Sequence, residues 1–272
     1  MFWSCTWSEG SLSTIKLLQV SDCHVSADPK ADYRGQNADR NLTRLLLAMR
    51  SWDPDLVLLT GDVSEDASPA AYARVAVRLG TIGAPVLALP GNHDKPEVMK
   101  RHFPKGPWAG GTHALELGRW LLVALDSTVP GKIPGFFSQQ NLERFDACMR
   151  GADAEHILVA LHHQPVPVNA PWIDRYPLEE AGRFLNFVDR EHRIRCVTWG
   201  HVHHEVNLER KGVKFLGAPS TVANSLPASK KFTWDMTGPS CRWLQLGEDG
   251  SVETGILRPI QSSAGKTSQR IK

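Results

Sequence analysis

Short apolar runs that stop at Asp, Asn or His restrict this chain more than any other feature of it. Residues 15–20, 56–60, 85–89, 120–125, 156–161 and 196–199 are β-branched or leucine-rich and end in polar clusters, the pattern of mostly buried strands. Helical periodicity lies between them: 41–51 places Leu42, Leu45, Leu46 and Met49 on one face, and 70–79 does the same with Tyr72, Val75 and Leu79. The alternation predicts an α/β fold. Beyond Lys211 the pattern changes to strands with little helix between them, at 213–216, 241–246 and 252–257, and these are expected to pack as a second sheet.

Five of the runs are followed at once by metal-ligand types: Asp22-Cys23-His24, Gly61-Asp62, Gly91-Asn92-His93-Asp94, His162-His163 and Gly200-His201-Val202-His203. In open α/β sheets ligands bind outside the carboxyl ends of the strands, so five distant segments are expected to converge on one site. Asp22 and His24 are two apart, as are His201 and His203. In extended backbone such pairs project to the same side, which would let each pair reach one centre. Gly61, Gly91 and Gly200 would permit tight turns and close backbone approach to a bound anion.

The donors Asp22, His24, Asp62, Asn92, His162, His201 and His203 comprise two carboxylates, one amide and four imidazoles. That mixture suits Mn, Fe, Zn or Co and is too rich in nitrogen for Ca or Mg. It also exceeds what one ion can use. With one carboxylate shared it fits two ions about 3.5 to 4 Å apart, the arrangement used for in-line displacement at phosphorus. Asp62, alone on its strand, is the natural bridge. Each segment by itself has a plainer reading: an Asp after a strand commonly caps a turn, and Asn92 could simply occupy left-handed backbone. His102, His113, His156 and His192 lie away from the strand ends and read as surface or packing residues, whereas His163 and His204 flank ligands. Cys23 alternates away from the Asp22/His24 face and reads as core.

Composition removes other classes. With 31 basic and 29 acidic residues the net charge is +2, too balanced to signal a nucleic-acid or membrane surface. Five scattered cysteines without a CxxC pair read as reduced thiols of a cytoplasmic protein. The start lacks a basic stretch followed by a continuous apolar run, and no apolar run approaches membrane-spanning length. Residues 261–272, rich in Ser, Lys and Gln, read as a flexible tail, and 1–12, with Trp3 and Trp7, as an extension without an assignable role.

Taken together, D-x-H, G-D, G-N-H-D, H and G-H-x-H resemble the calcineurin-like metallophosphoesterases, and every element of that pattern is present. Leu87-Ala-Leu-Pro-Gly-Asn-His-Asp94, Leu161-His-His-Gln-Pro-Val-Pro167, Trp172-Ile-Asp174 and Gly217-Ala-Pro-Ser-Thr221 are further similar to the class III cyclic-nucleotide phosphodiesterases, although Gln164 stands where Pro or His is expected. The resemblance implies one domain over 13–260, a four-layer α/β sandwich of two packed mixed β-sheets flanked by helices. It implies that Asp22, His24, Asp62 and His203 hold one divalent ion and Asp62, Asn92, His162 and His201 another, as an Fe or Mn pair, with Zn or Co as alternatives. It further implies a catalytic His93 backed by Asp94, and substrate contacts from His24, Asn92, His93, His163 and His203.

The expected reaction is attack of a metal-bridging hydroxide on a 3′,5′-cyclic nucleotide, cyclic AMP or a relative, to give the 5′-nucleotide. The competing readings are another small-molecule phosphodiesterase or pyrophosphatase acting on a glycerophosphodiester or nucleotide, and a non-catalytic binding module on the same fold. Near-neutral charge weighs against a nuclease. Gly61-Asp-Val-Ser-Glu65 lacks the Arg-containing continuation of protein phosphatases. Partners are expected to be small molecules, with no nucleic acid and no membrane; the oligomeric state is left open.

Overall fold

The computed structural model describes residues 14–106 and 111–259. The extension with Trp3, Trp7 and Cys5, and the tail, lie outside the described residues. The first third contains β1 (Thr14–Val20), β2 (Asp32–Tyr33), β3 (Gln36–Asn37), α1 (Ala38–Trp52), β4 (Leu56–Thr60), α2 (Pro69–Gly80), β5 (Val86–Leu89) and α3 (Pro96–Met99). There follow β6 (Thr112–Leu117), β7 (Trp120–Leu125), β8 (Gly135–Phe136), α4 (Gln139–Arg150), β9 (His156–Leu161), α5 (Pro171–Asp174), β10 (Leu178–Glu179) and α6 (Ala181–Val188). The last part is all strand: β11 (Ile194–Trp199), β12 (Val206–Arg210), β13 (Val213–Gly217), β14 (Cys241–Gly247) and β15 (Val252–Leu257).

These strands make two mixed sheets, ordered β15-β14-β1-β4-β5 and β12-β13-β11-β9-β7-β6. Period-two alternation assigns each strand face to a layer. Leu18, Val20, Val57 and Leu59 pack under α1 and α2, whereas Ile15, Leu17, Leu56 and Leu58 point the other way, into the core between the sheets. In the second sheet Leu158 and Ala160 enter that same middle core, and Ile157, Val159 and Leu161 pack with Phe145 of α4 and Phe184 of α6. The result is the expected helix-sheet-sheet-helix order. Local signals start the helices: Asn37 caps α1 through Arg40 N–H, Ser68 caps α2 ahead of Pro69, and Ser138 and Asn141 form a reciprocal box on α4. Among the described residues no helix is long and apolar enough to cross a membrane.

One sequence expectation is corrected. The three strands beyond Lys211 do not form a second sheet of their own. β13 pairs in parallel with β11, while the β14–β15 hairpin extends the first sheet through antiparallel pairing of β14 with β1. Both sheets are thus begun by earlier strands and completed by later ones. Within them β1, β4 and β5 run parallel, as do β7, β9, β11 and β13, so each group presents its carboxyl ends along one edge. Gln19 donates to Trp199 O at 3.1 Å and accepts from Thr198 Oγ1 at 2.6 Å, joining the two edges just below those ends.

Candidate metal centre

Asp22 and His24 follow β1, Asp62 follows β4, Asn92 follows β5, His162 follows β9, and His201 and His203 follow β11, so both sheets contribute to one rim. The backbone delivers these side chains by a route other than strand alternation. Asp22, His24, Asp62, His201 and His203 all have positive φ, between 43° and 67°. Left-handed backbone is uncommon outside glycine, and Asp and His are among the residues that tolerate it best. Each D-x-H or H-x-H pair is therefore turned inward by the bend after its strand. The loops are pinned by Asp22 N–H to Gly61 O and His24 N–H to Asp62 O, both 3.0 Å.

Gly61 makes the expected tight turn, with φ +88°, and all three glycines lie close against side chains of the site. A Cβ on Gly91 would strike the Asp62 carboxylate and amide, one on Gly61 the His162 ring, and one on Gly200 the Ser21 hydroxyl and Asp22 carboxylate. What approaches closely is the ligand set itself.

Each histidine of the set has one nitrogen already committed, and the partner fixes which nitrogen remains. His203 Nδ1 donates to Ala223 O at 2.8 Å, His162 Nδ1 to Thr60 O at 2.8 Å, and His201 Nε2 to Tyr176 O at 3.1 Å, because a carbonyl can only accept. His24 Nδ1 donates to Glu65 Oε2 at 2.7 Å. The second nitrogens of His24, His162 and His203 then face other acceptors. His24 Nε2 lies 3.2 Å from His203 Nε2, His203 Nε2 is 3.4 Å from Asp22 Oδ1, and His162 Nε2 is 3.3 Å from Asn92 Oδ1. Asp62 Oδ1 accepts from His93 N–H at 2.9 Å, which leaves Oδ2 between His162 Nε2 at 3.4 Å and His24 Nε2 at 3.8 Å. Lone pairs so arranged repel unless a positive hydrogen or a cation sits among them. Asp22, His24 and His203 form one cluster able to hold an ion, with Asp22, Asp62 and His162 beside it.

The electrostatics agree. Burial would raise the Asp62 carboxyl, yet the charge and hydrogen bond of His162 outweigh it and hold Asp62 well below the usual carboxylate range. Burial likewise opposes charge on His162, but Asp62 beside it raises the imidazole to about 9. The Asp62 carboxylate thus favours positive charge beside it. His201, desolvated and next to His163 and His162, is driven well below the ordinary imidazole range and stays neutral, as a nitrogen ligand must.

One sequence expectation changes at the rim. Asp94 does not back His93: its carboxylate accepts from Gly91, Val63 and Ser64 N–H and from Tyr72 Oη, which makes it the staple of the turn that carries Asn92. The partner of His93 is Glu65, whose Oε2 lies 3.2 Å from His93 Nδ1 while also accepting from His24. Burial opposes charge on His93, but the hydrogen bond to Glu65 and the charge of Asp62 raise it to about 9. Glu65 is not among the expected site residues, although a carboxylate three residues after Asp62 is a usable signal in the sequence. His163, which flanks a ligand in the sequence, has both ring nitrogens engaged within the fold. It is fully buried, with Nδ1 2.8 Å from Ser127 Oγ and Nε2 3.0 Å from Ile133 O. Cys23 is fully buried and packs in the helix-side core, consistent with its reading as core.

This rim, on two sheets ordered as above, can be compared with known proteins. The model of the calcineurin-like phosphoesterase family matches residues 15–205. The chain belongs to that family. Among curated relatives it is similar to the 3′,5′-cyclic adenosine monophosphate phosphodiesterase CpdA of Pseudomonas aeruginosa, 34% identical with 90% of each chain covered. CpdA of Escherichia coli strain K12 is 30% identical, again over 90% of each. Among solved structures, a dimetal phosphatase from Danio rerio shares the fold with a TM-score of 0.64 at 16% identity, over 90% of this chain and 99% of that one. The chain is accordingly a metal-dependent phosphodiesterase, with His and Asp clusters able to bind divalent ions.

Proposed function

We propose that the domain over 13–260 hydrolyses 3′,5′-cyclic AMP, or a closely related cyclic nucleotide, to the 5′-nucleotide, using two metal ions. The observation that carries the reading is the commitment of one nitrogen on each of His24, His162, His201 and His203, which leaves Nε2 of His24, His162 and His203 within 3.8 Å of Asp22, Asp62 or Asn92. Asp22, His24, Asp62 and His203 would hold one ion and Asp62, Asn92, His162 and His201 the other, with Asp62 common to both sets. This oxygen and nitrogen donor set suits Fe or Mn, with Zn or Co as alternatives. Such a pair, when bound, supplies an activated water and neutralises charge on the phosphate oxygens.

The chain's own residues do the rest. His93, its side chain 35% exposed, stands at the open side of the rim with Nδ1 fixed by Glu65. Nε2 is left to give its proton to the departing 3′ oxygen as water adds to phosphorus and the P–O3′ bond breaks. General acid assistance of this kind contributes typically ~10²- to 10⁴-fold. Glu65 positions both His93 and the ligand His24, and Asp94 holds the Gly91–Asn92 turn. Direct substrate contacts are assigned to Asn92 and His93; His24 and His203, 1% and 4% exposed, lie deeper and act through the metal. The relatives named as cyclic-AMP phosphodiesterases support the substrate, and the free Cys23, Cys148, Cys196 and Cys241 support a cytoplasmic location. The test is turnover of cyclic AMP, cyclic GMP, 2′,3′-cyclic AMP and bis(p-nitrophenyl) phosphate with Mn. Activity confined to the synthetic diester would remove the cyclic-nucleotide assignment.

A further inference from the structure

The described flanks of the rim differ. Behind His162, His163 and His201 the space is closed: these rings are 0%, 0% and 4% exposed and bond to Thr60, Ile133 and Tyr176 carbonyls. On the side of His24 and His203 three loops instead bring partly exposed aromatic rings together. Tyr33, from the β2–β3 hairpin, stacks flat on His24 with centroids 4.0 Å apart. Trp172, on α5, and Phe232, from the loop before β14, meet edge to face at 5.2 Å, and their centroids lie 6.2 Å and 6.1 Å from that of His203. The Arg34 guanidinium sits 4.3 Å from the Phe232 centroid and 5.5 Å from that of Tyr33.

The wall is built and held. Trp172 is fixed by a loop in which Asp174 accepts from Val168 and Ala170 N–H, each at 2.9 Å, and the buried Gln164 amide donates to Ile173 O at 2.9 Å. Gln164 thus anchors the segment that presents Trp172. Phe232 packs on the first sheet's helix-side core and Trp172 on the second sheet's, so the two rings meet across the seam that also carries the metal ligands. Partly exposed aromatic faces capped by a guanidinium, one ring away from a phosphate-binding centre, fit a flat, electron-rich heterocycle, which gains from stacking and from the cation together.

We propose that Trp172, Phe232 and Arg34 form the binding site for the nucleobase of the substrate, and so determine its preference for nucleoside over base-free diesters. The proposal rests on the cyclic-nucleotide reading above. It assigns these residues to affinity alone, since none lies among the groups given to the metals or to proton transfer.

The experiment compares 3′,5′-cyclic AMP with methyl ribofuranoside 3′,5′-cyclic phosphate, which has the same reacting ring and no base. Wild type, Trp172→Ala, Trp172→Phe, Phe232→Ala and Arg34→Ala are measured, each with metal content determined. Wild type should favour cyclic AMP by at least about tenfold in kcat/KM, the scale of one base stacked on an aromatic ring. Trp172→Ala and Phe232→Ala should raise KM for cyclic AMP by about that factor, leave the base-free diester and metal content unchanged, and be rescued at position 172 by Phe. Arg34→Ala, an exposed position tolerant of change, should raise KM for cyclic AMP alone by a few fold if the ring variants prove unstable. Equal use of both diesters by wild type, or equal losses on both in the variants, would overturn the base site while leaving the phosphodiesterase assignment standing. Hydrolysis of neither by metal-loaded wild type would defeat the cyclic-nucleotide reading and this proposal with it.

Discussion

Replacing Glu65 by Ala tests the architecture at its least obvious point, because one carboxylate holds two rings with different tasks. Its Oε2 is 2.7 Å from His24 Nδ1 and 3.2 Å from His93 Nδ1. Losing the outer partner of a metal-ligating histidine costs about 10- to 100-fold in metal affinity. Losing the orientation of a general acid forfeits part of its ~10²- to 10⁴-fold contribution, so a fall of about 10²-fold in kcat is expected. The two losses separate in a metal titration. In Glu65→Ala the half-saturating Mn concentration should rise about 10- to 100-fold, and excess Mn should restore occupancy without restoring kcat. Glu65→Gln, whose amide oxygen can accept from one ring but not serve both as a charge, should fall between. The assay is cyclic-AMP turnover across Mn concentrations with bound metal measured in parallel. Wild-type kcat and an unchanged Mn requirement in Glu65→Ala would refute the positioning role.

Further outcomes follow from the same geometry. Gly91→Ala should abolish turnover and metal retention while leaving the far-ultraviolet circular dichroism unchanged, because the added Cβ displaces Asp62; an active Gly91→Ala enzyme would contradict the close approach. Chelation should lower Tm, and re-addition of Mn at ~100 times its Kd should restore ~2.7 kcal/mol, or roughly 5 °C for a chain of this size, as read by calorimetry. An unchanged Tm would mean that the donors do not bind metal in the native state. Burial pushes the Cys23 and Cys196 thiols up to about 12 and raises that of Cys241 as well, so native alkylation at pH 8 followed by peptide mapping should spare all three. Rapid modification of any one of them would show that its core opens.

The sequence disclosed the strand ends well, since β4, β7 and β9 begin and end where their apolar runs do. α4 was not legible because only Phe145 and Met149 of it are buried, too narrow a stripe to register as periodicity. Which sheet the β14–β15 hairpin joins is decided by its pairing with β1, more than two hundred residues away, and no local pattern records that. At the site the donor types could be read from the chain, and Glu65 three residues after Asp62 was a signal, but the choice of Glu65 over Asp94 as the partner of His93 was not legible. Asp94 is adjacent in sequence yet turned toward backbone amides, and Glu65 reaches the ring from another loop. Local order conveys chemistry more readily than direction, because the bends after the strands set the direction.

Those bends have a consequence of their own. Five proposed ligand positions, 22, 24, 62, 201 and 203, are held in left-handed backbone by Asp or His. Gly or Asn would adopt that backbone at lower cost, so under the proposed assignment each position gives up some stability in exchange for a metal donor. A lineage in which this fold ceased to bind metal would have every reason to let those five sites drift toward Gly and Asn. Within the fold, keeping Asp and His there is a burden that continued metal binding would justify, and the residues at these bends become a record of whether a given copy still has its metal donors.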